Sequence, residues 1–169
     1  MIVIVAGVSG SGKTTVGQAL AEMLGWTFAD GDAMHPAANV EKMAHGVRLT
    51  DRDRLPWLRA IAAWLDEQLA AGRPAIIACS ALHRRYRDLL LTGRPAVAMA
   101  FLLIGHDLAA RRLATRPGHF FDPALLDSQF ADLEPPEPDE VRVHTVRVLG
   151  TPDDIVTDII TSLDLAALT

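Results

Sequence analysis

Apolar residues follow two alternating patterns along the chain. Unbroken apolar runs rich in β-branched residues, as in residues 1–7 and 74–81, are typical of strands buried on both faces. Elsewhere apolar residues recur every three or four positions, as in residues 14–24, which is the spacing of an amphipathic helix. Because strands and helices alternate throughout, the pattern predicts an α/β fold with a parallel sheet that helices cover on both faces.

The same patterns, with the turn residues between them, give the predicted elements. Strands are predicted at residues 1–7, 26–29, 74–81, 97–105 and 141–149. Helices are predicted at residues 14–24, 36–44, 83–91 and 123–133, from about residue 53 to residue 72, and after residues 107 and 151. No internal repeat or linker interrupts this order, so residues 1–169 are expected to form one domain.

Composition narrows the class of protein. The chain has 169 residues, of which 50% are hydrophobic, so it can build a substantial core. Its net charge of −5 argues against a general nucleic-acid binder, and its longest apolar run, residues 96–105, is too short to span a bilayer. The single cysteine, Cys79, lies in a predicted strand and is expected to pack in the core. The N-terminus lacks a secretion signal, so we expect a cytoplasmic protein with neither nucleic-acid nor membrane partners.

A glycine-rich motif follows the first predicted strand. Residues 7–14 read GVSGSGKT and match the phosphate-loop pattern G-x-x-x-x-G-K-[ST], between a strand and a helix as the motif requires. The glycines allow the backbone amides to approach phosphate oxygens, and the following helix adds the positive end of its dipole. Lys13 is expected to place its charge on the β- and γ-phosphates, and Thr14 to offer its hydroxyl to Mg²⁺. The predicted nucleotide site comprises Gly7, Val8, Ser9, Gly10, Ser11, Gly12, Lys13, Thr14 and Thr15.

A phosphate loop indicates a nucleotide but not a reaction. The sequence lacks the N-K-x-D motif that recognises guanine, and the strand at residues 74–81 lacks the terminal aspartate of motor ATPases. The candidate acidic groups are Asp30 and Asp32, directly after the second predicted strand, at the sheet edge where α/β proteins bind ligands. One can orient a Mg²⁺-bound water and the other a substrate hydroxyl. The alternative is an exposed turn, because Asp-Gly is common turn chemistry.

Arginines supply positive charge near the same predicted edge. Taken alone, Arg54 beside Asp51 and Asp53 is typical of a surface ion pair. The arginines of residues 84–87 (RRYR) follow the third predicted strand, where they either bind a carboxylate or phosphate or form a solvated helix face.

A second group of arginines precedes a stretch rich in glycine and proline. Arg111, Arg112 and Arg116 lead into the segment around His119. Positive charge on a loop that closes over a site stabilises a transferring phosphoryl group, and closure excludes water as a competing acceptor.

Several segments together resemble bacterial gluconokinase. They are GVSGSGKTT, DGDAMHPAANVEKM, LTDRDRLPWL, CSALHRRYRD and GHFFDPALLDSQFADLEPPEPDE, in one colinear order over about residues 4–140. The phosphate loop is shared by many families, whereas H-P-x-x-N-x-x-K-M, D-R-x-P-W-L and S-Q-F-x-x-L-E-x-P are far more specific. The residues after this region are less diagnostic.

The resemblance implies an activity and an architecture. It implies transfer of the γ-phosphoryl group of ATP to the 6-hydroxyl of D-gluconate, which gives 6-phospho-D-gluconate and ADP in gluconate catabolism. It also implies ATP and Mg²⁺ as cofactors, a homodimer, and a P-loop NTPase fold like that of nucleoside-monophosphate and shikimate kinases. In such a fold, helices flank a five-stranded parallel sheet and a mobile lid is inserted, here at about residues 112–135.

The resemblance also assigns roles to residues. Catalytic roles fall to Lys13, Asp32 and Arg116, and Arg112 and Arg116 join the nucleotide site. Thr14 binds the metal, and Asp30 does so through water. Substrate contacts are expected from Asp32, His35, Lys42, Arg54, Arg85, Arg87, His119 and Gln129. These residue types suit an anionic polyol, whose carboxylate pairs with guanidinium groups and whose hydroxyls pair with Asp, His and Gln.

Two other functions remain open at this level. Shikimate kinase shares the architecture and a similar Asp-x-Asp after the second strand, although H-P-x-x-N-x-x-K-M belongs to the gluconate pattern. A nucleotide-responsive binding module without turnover would keep the phosphate loop but lack a group that orients a substrate. Asp32 therefore discriminates between the enzyme and the module.

Overall fold

A computed structural model describes residues 1–115 and 123–165. Within them, the strands are β1 (Ile2–Ala6), β2 (Thr27–Asp30), β3 (Ala75–Cys79), β4 (Val97–Leu103) and β5 (Val143–Arg147). The helices are α1 (Lys13–Leu24), α2 (Ala37–Ala44), α3 (Asp51–Ala70), α4 (Arg84–Leu91), α5 (His106–Ala114), α6 (Pro123–Asp132) and α7 (Pro152–Ser162), and a 3₁₀ turn spans Gly31–Met34. In this part of the chain, no helix combines the length and the apolar character needed to cross a membrane.

Within the described residues, five strands form one parallel sheet in the order β2-β3-β1-β4-β5. Ile4 of the central strand β1 lies opposite Ile77 of β3 on one side and Met99 of β4 on the other. Every residue of β1 and β3 is buried, as their unbroken apolar sequences predict for strands covered on both faces. The predicted α/β fold with a five-stranded parallel sheet is confirmed.

The helix α3 begins at Asp51, slightly earlier than its apolar pattern predicts, because Thr50 caps it. Thr50 Oγ1 accepts a hydrogen bond from the Asp53 amide at 3.3 Å, and the Asp53 carboxylate accepts one from the Thr50 amide at 2.9 Å. This reciprocal capping box satisfies amides at the helix start. It fixes the helix turn from which the site residues of α3 project.

The core includes the single cysteine. Cys79 has no exposed surface, and desolvation raises the pKa of its thiol to about 12, so the thiol is protonated at neutral pH. The predicted packing role of Cys79 is confirmed.

The loops after β1, β2 and β3 leave the sheet at one edge, since the strands are parallel. A cavity of about 1530 Å³ opens at this edge. Its wall includes residues of the phosphate loop, the 3₁₀ turn, α3, α5 and α6. The edge where the sequence places its candidate chemistry is therefore the edge where the structure has a cavity.

Candidate active site

The phosphate loop turns tightly between β1 and α1. Gly10 has a φ of 77°, and a Cβ atom there would lie 2.7 Å from the carbonyl oxygen of Ala109, so the loop packs directly on α5. Lys13 begins α1, and its Nζ donates to the carbonyl oxygen of Val8 at 3.1 Å, which folds the side chain back over the loop. The cavity is lined by Ser9, Gly10, Gly12, Lys13, Thr14 and Thr15, while Gly7, Val8 and Ser11 are buried behind them.

The two aspartates that follow the second strand lie beside this loop. Thr14 Oγ1 donates to Asp30 Oδ2 at 3.4 Å, and the Asp32 amide donates to Asp30 Oδ1 at 3.0 Å. Gly31 between them is buried, and a Cβ atom there would lie 2.5 Å from the carbonyl oxygen of Ala78. This close packing fixes Gly31 against β3, whereas Asp32 itself is exposed in the 3₁₀ turn, so its catalytic role stays a prediction. Asp32 lines the cavity.

His35 follows the 3₁₀ turn and is fixed from two sides. Its ring stacks on Trp57 of α3, with the centroids 4.3 Å apart and the planes at 11°, and Trp57 Nε1 donates to the carbonyl oxygen of Gly31 at 2.7 Å. Asn39 Nδ2 lies 3.3 Å from His35 Nδ1 and donates to the carbonyl oxygen of Asp53 at 2.8 Å. Because an amide nitrogen can only donate, Nδ1 accepts and the ring hydrogen lies on Nε2.

Burial keeps this imidazole neutral. Desolvation lowers the pKa of His35 below its usual 6.5; the charge of Asp32 opposes this shift, and that of Arg54 adds to it. His35 and Trp57 both line the cavity, so the Nε2 hydrogen is the donor that His35 has for a ligand there. The apolar pattern of α3 predicts only a packing role for Trp57, and its contact with His35 is a contribution to the site that sequence reasoning missed.

Arg54 also lines the cavity, and its partner comes from a distant part of the chain. Its Nη1 and Nη2 donate to Asp132 Oδ2 of α6 at 3.3 and 3.4 Å, and Nη1 lies 3.5 Å from the hydroxyl of Tyr86. The neighbouring Asp51 and Asp53 bond to other groups. The alternative of a local surface ion pair is therefore wrong for Arg54, and its place on the wall agrees with a role in substrate binding.

Two residues of the predicted lid contact the phosphate loop. Gln129 Oε1 accepts from the Ser9 amide at 2.7 Å, and Gln129 Nε2 donates to Ser9 Oγ at 2.9 Å. Arg112 Nη1 donates to the carbonyl oxygen of Ser11 at 3.4 Å. Arg112 thus lies beside the predicted nucleotide site. Gln129, expected among the substrate contacts, bonds to the nucleotide loop in this structure.

The substrate role predicted for Arg87 is wrong. Arg87 is fully buried, and its Nε and Nη2 each donate to the Glu140 carboxylate at 2.6 Å. Its Nη1 donates to the carbonyl oxygens of Leu82 and Glu134 at 3.0 and 2.9 Å. These bonds leave the guanidinium inside the protein, where it joins α4 to the chain segment before β5.

Lys42 and Arg85 also lie off the cavity wall that the described residues form. Lys42 Nζ donates to Asp53 Oδ1 at 2.7 Å, and Arg85 Nη2 donates to both carboxylate oxygens of Asp51 at 2.8 Å. In this structure both side chains bond to carboxylates in the first turn of α3, and their expected contact with the substrate stays a prediction.

Arg116 and His119 lie outside the described residues, so their roles stay predictions. The predicted lid, residues 112–135, is described at its two ends, which belong to α5 and α6.

Arg48 and its partner Asp132 had no counterpart in the sequence-based prediction. Arg48 lines the cavity, and its Nη2 donates to Asp132 Oδ1 at 2.5 Å. A signal for Asp132 was present, because it follows Gln129 by three residues and so projects from the same face of α6.

Comparison with known proteins places this geometry in a family. Residues 2–136 match the family model described as an AAA domain. The gluconokinase of Gluconobacter oxydans (strain 621H) is 46% identical over 159 residues, which span 93% of this chain and 88% of that protein. The chain belongs to the gluconokinase family. The resemblance seen in the sequence motifs is confirmed, and family membership makes the chain an ATP-using P-loop kinase.

Solved structures agree with this membership. A gluconokinase from Sinorhizobium meliloti 1021 matches with a TM-score of 0.86 at 43% identity, covering 98% of this chain and 92% of that one. A shikimate kinase from Bacteroides thetaiotaomicron matches with a TM-score of 0.65 at 20% identity, covering 98% and 99% of the two chains. The second likeness concerns the fold alone, which gluconokinases and shikimate kinases share.

Proposed function

We propose that the protein transfers the γ-phosphoryl group of ATP to the 6-hydroxyl of D-gluconate, giving 6-phospho-D-gluconate and ADP. The observation that carries this proposal is a single cavity whose wall holds both sets of groups that the reaction needs. The phosphate loop suits the nucleotide. Asp32, His35 and Arg54 suit an acceptor that has several hydroxyls and one carboxylate.

The nucleotide side acts by position and charge. Backbone amides of the loop and the N-terminus of α1 receive the phosphates, and Lys13 places a positive charge on them. Arg112, bonded to the carbonyl oxygen of Ser11, adds a second positive charge beside the loop. Arg116, which the family resemblance assigns to the lid at residues 112–135, adds a third when the lid closes.

The acceptor side aligns the attacking oxygen. Asp32 accepts the hydrogen bond of the 6-hydroxyl and takes its proton as the oxygen attacks the γ-phosphorus, while the bond from that phosphorus to ADP breaks. The neutral His35 donates its Nε2 hydrogen to another hydroxyl, and Arg54 pairs with the carboxylate. His119 joins the substrate side from the lid. No covalent enzyme intermediate is required.

The residues beside the loop suit Mg²⁺. The Thr14 hydroxyl and the Asp30 carboxylate are oxygen ligands 3.4 Å apart at the start of α1, and Mg²⁺ in kinases is bound by few protein oxygens together with waters and phosphates. We assign Thr14 to direct binding and Asp30 to binding through water. When bound, the ion supplies positive charge to the phosphates.

We also infer that the protein works as a homodimer, as the family resemblance implies, and that it does so in the cytoplasm. Light scattering coupled to size-exclusion chromatography tests the oligomeric state, for which a mass of twice 18.2 kDa is expected.

A coupled assay of ADP release tests the proposed activity. The purified chain is given ATP, Mg²⁺ and in turn D-gluconate, shikimate and a nucleoside monophosphate. Turnover is expected with D-gluconate, because its carboxylate and hydroxyls match the cavity wall. Lys13→Ala serves as the control and is expected to lose turnover and to bind ATP more weakly. Turnover with shikimate or the nucleotide but not with D-gluconate would contradict the substrate assignment.

A further inference from the structure

The carboxylate of Asp132, the last residue of α6, accepts hydrogen bonds from two arginines of the cavity wall. Arg48 Nη2 donates to Oδ1 at 2.5 Å, and Arg54 donates from both terminal nitrogens to Oδ2 at 3.3 and 3.4 Å. The Asp132 side chain is only 15% exposed. A carboxylate is thus already held in the cavity region by two converging guanidinium groups.

This pair of arginines differs from the other arginines of the region. Arg85 and Arg87 are bonded to Asp51 and Glu140, and neither lines the cavity that the described residues form. Arg48 and Arg54 both line it, and their shared partner comes from α6, which directly follows residues 116–122 of the predicted lid. On the wall that the described residues form, Lys13 and Arg112 lie at the phosphate loop, so the pair is the cationic group that an acceptor carboxylate can reach by displacing one side chain.

We propose that Arg48 and Arg54 together bind the carboxylate of the substrate, and that Asp132 occupies this arginine fork until the substrate replaces it. The proposal rests on the proposed function, because it takes the acceptor to be a sugar acid. Replacing one carboxylate by another keeps both guanidinium groups paired, so Arg54, whose side chain is 16% exposed, is not left without a partner. Asp132 acts as an internal competitor, and Arg48 is a second binding residue for the acceptor.

An internal competitor has a definite kinetic signature. The affinity for the substrate is reduced by the fraction of molecules in which the fork is already occupied. Asp132→Asn keeps the shape of the side chain but removes its charge, so the fork is free more often. The KM for D-gluconate is expected to fall about three- to tenfold in this variant, whereas kcat and the KM for ATP change by less than about twofold.

The role of Arg48 in substrate binding is tested in a variant whose competing carboxylate has been removed. In the Asp132→Asn background, Arg48→Met is expected to raise the KM for D-gluconate about tenfold or more, because one charged hydrogen-bonding partner of the carboxylate is lost. The matched control is Asp66→Asn. Asp66 also binds an arginine, Arg94, at 2.6 and 2.8 Å, but it lies on an exposed part of α3 away from the cavity, and its substitution is expected to leave the KM unchanged.

The decisive measurement is the KM, with calorimetric Kd, for D-gluconate in the wild type and these three variants. A lower KM in Asp132→Asn supports the competitor, because general damage to the fold does not tighten binding. A KM that is unchanged or raised overturns it. An unchanged KM on adding Arg48→Met overturns the role of Arg48.

Binding and turnover of D-gluconate by the wild type distinguish a failure of this proposal from a failure of the proposed function. Binding of D-gluconate without turnover would contradict the kinase assignment, and the Kd values would still decide the fork. Turnover with an acceptor that lacks a carboxylate, and none with D-gluconate, would overturn the role of the arginine fork even though the chain is an active kinase.

Discussion

At the scale of single residues, Asn39 determines the chemistry of His35 without lining the cavity. It is 4% exposed, and its amide nitrogen faces both the carbonyl oxygen of Asp53 and His35 Nδ1. Two hydrogens on one nitrogen serve these two acceptors, which fixes the imidazole with its hydrogen on Nε2. A protonated ring would turn an N–H toward another donor, so the contact with Asn39 favours the neutral form that burial also favours.

Titration of His35 by NMR tests this arrangement. In the wild type, the pKa of His35 is expected below 6.5, with Nε2 protonated in the neutral ring. Asn39→Asp is expected to raise this pKa and move the hydrogen to Nδ1, because a carboxylate accepts where the amide donates. A wild-type pKa at or above 6.5 would contradict the account.

The same shift has a consequence for stability. Because the folded-state pKa of His35 lies below the unfolded value of 6.5, the unfolded chain binds more protons as the pH falls through this window. The contribution of His35 to the free energy of unfolding is therefore present above pH 6.5 and lost below it. Denaturant unfolding at several pH values gives the free energy of unfolding of the wild type and of His35→Gln. The difference between the two should shrink as the pH falls.

At the scale of elements, the buried pair of Arg87 and Glu140 joins α4 to the segment before β5. Both side chains are almost fully buried, at 0% and 3% exposure. The hydrogen bonds that Arg87 donates lower the pKa of the Glu140 carboxyl, so the carboxylate is ionised at neutral pH. The pair positions the start of α4 near the cavity edge rather than binding a ligand there.

Glu140→Gln tests this structural role. The substitution leaves a buried guanidinium without its counter-charge, and we expect it to lower the free energy of unfolding by about 3–5 kcal/mol. The control is Asp139→Asn, which removes one charged partner of Arg84 from a solvent-exposed pair and should have a much smaller effect. Urea unfolding of both variants compares them. Equal effects would contradict a special role for the buried pair.

The arginines of α4 also show where sequence-based prediction stops. Arg84, Arg85 and Arg87 follow one strand and look alike, yet they pair with Asp139, Asp51 and Glu140, which lie 34 to 55 residues away. The spacing of the arginines along the chain does not reveal which distant acidic residue will lie beside each of them in the folded protein. Capping of α3 by Thr50 depends on neighbours within three residues and so belongs to the class of features that local sequence can indicate.

At the scale of the whole molecule, the sheet order brings distant segments to one edge. The central position of β1 sets the phosphate loop between the loops that follow β3 and β4. The loop before α3 supplies Arg48, α3 supplies Arg54, and α6 supplies the aspartate that pairs with both. The fold and the phosphate loop were predictable, because apolar periodicity and a contiguous motif carry them. The contact between Arg48 and Asp132 was not, because it joins residues 84 positions apart. The stacking of Trp57 on His35 was not predictable for a similar reason, since Trp57 lies in α3 and His35 follows the 3₁₀ turn.

The central claim is that the cavity aligns a substrate hydroxyl on Asp32 against a phosphoryl group held by the loop. The most direct test is Asp32→Asn, with kcat measured for D-gluconate and ATP binding measured by calorimetry. The account predicts that kcat falls by about 10²-fold or more while ATP affinity stays within about twofold of the wild type, because the carboxylate acts on the acceptor and not on the nucleotide. A kcat close to that of the wild type would contradict it.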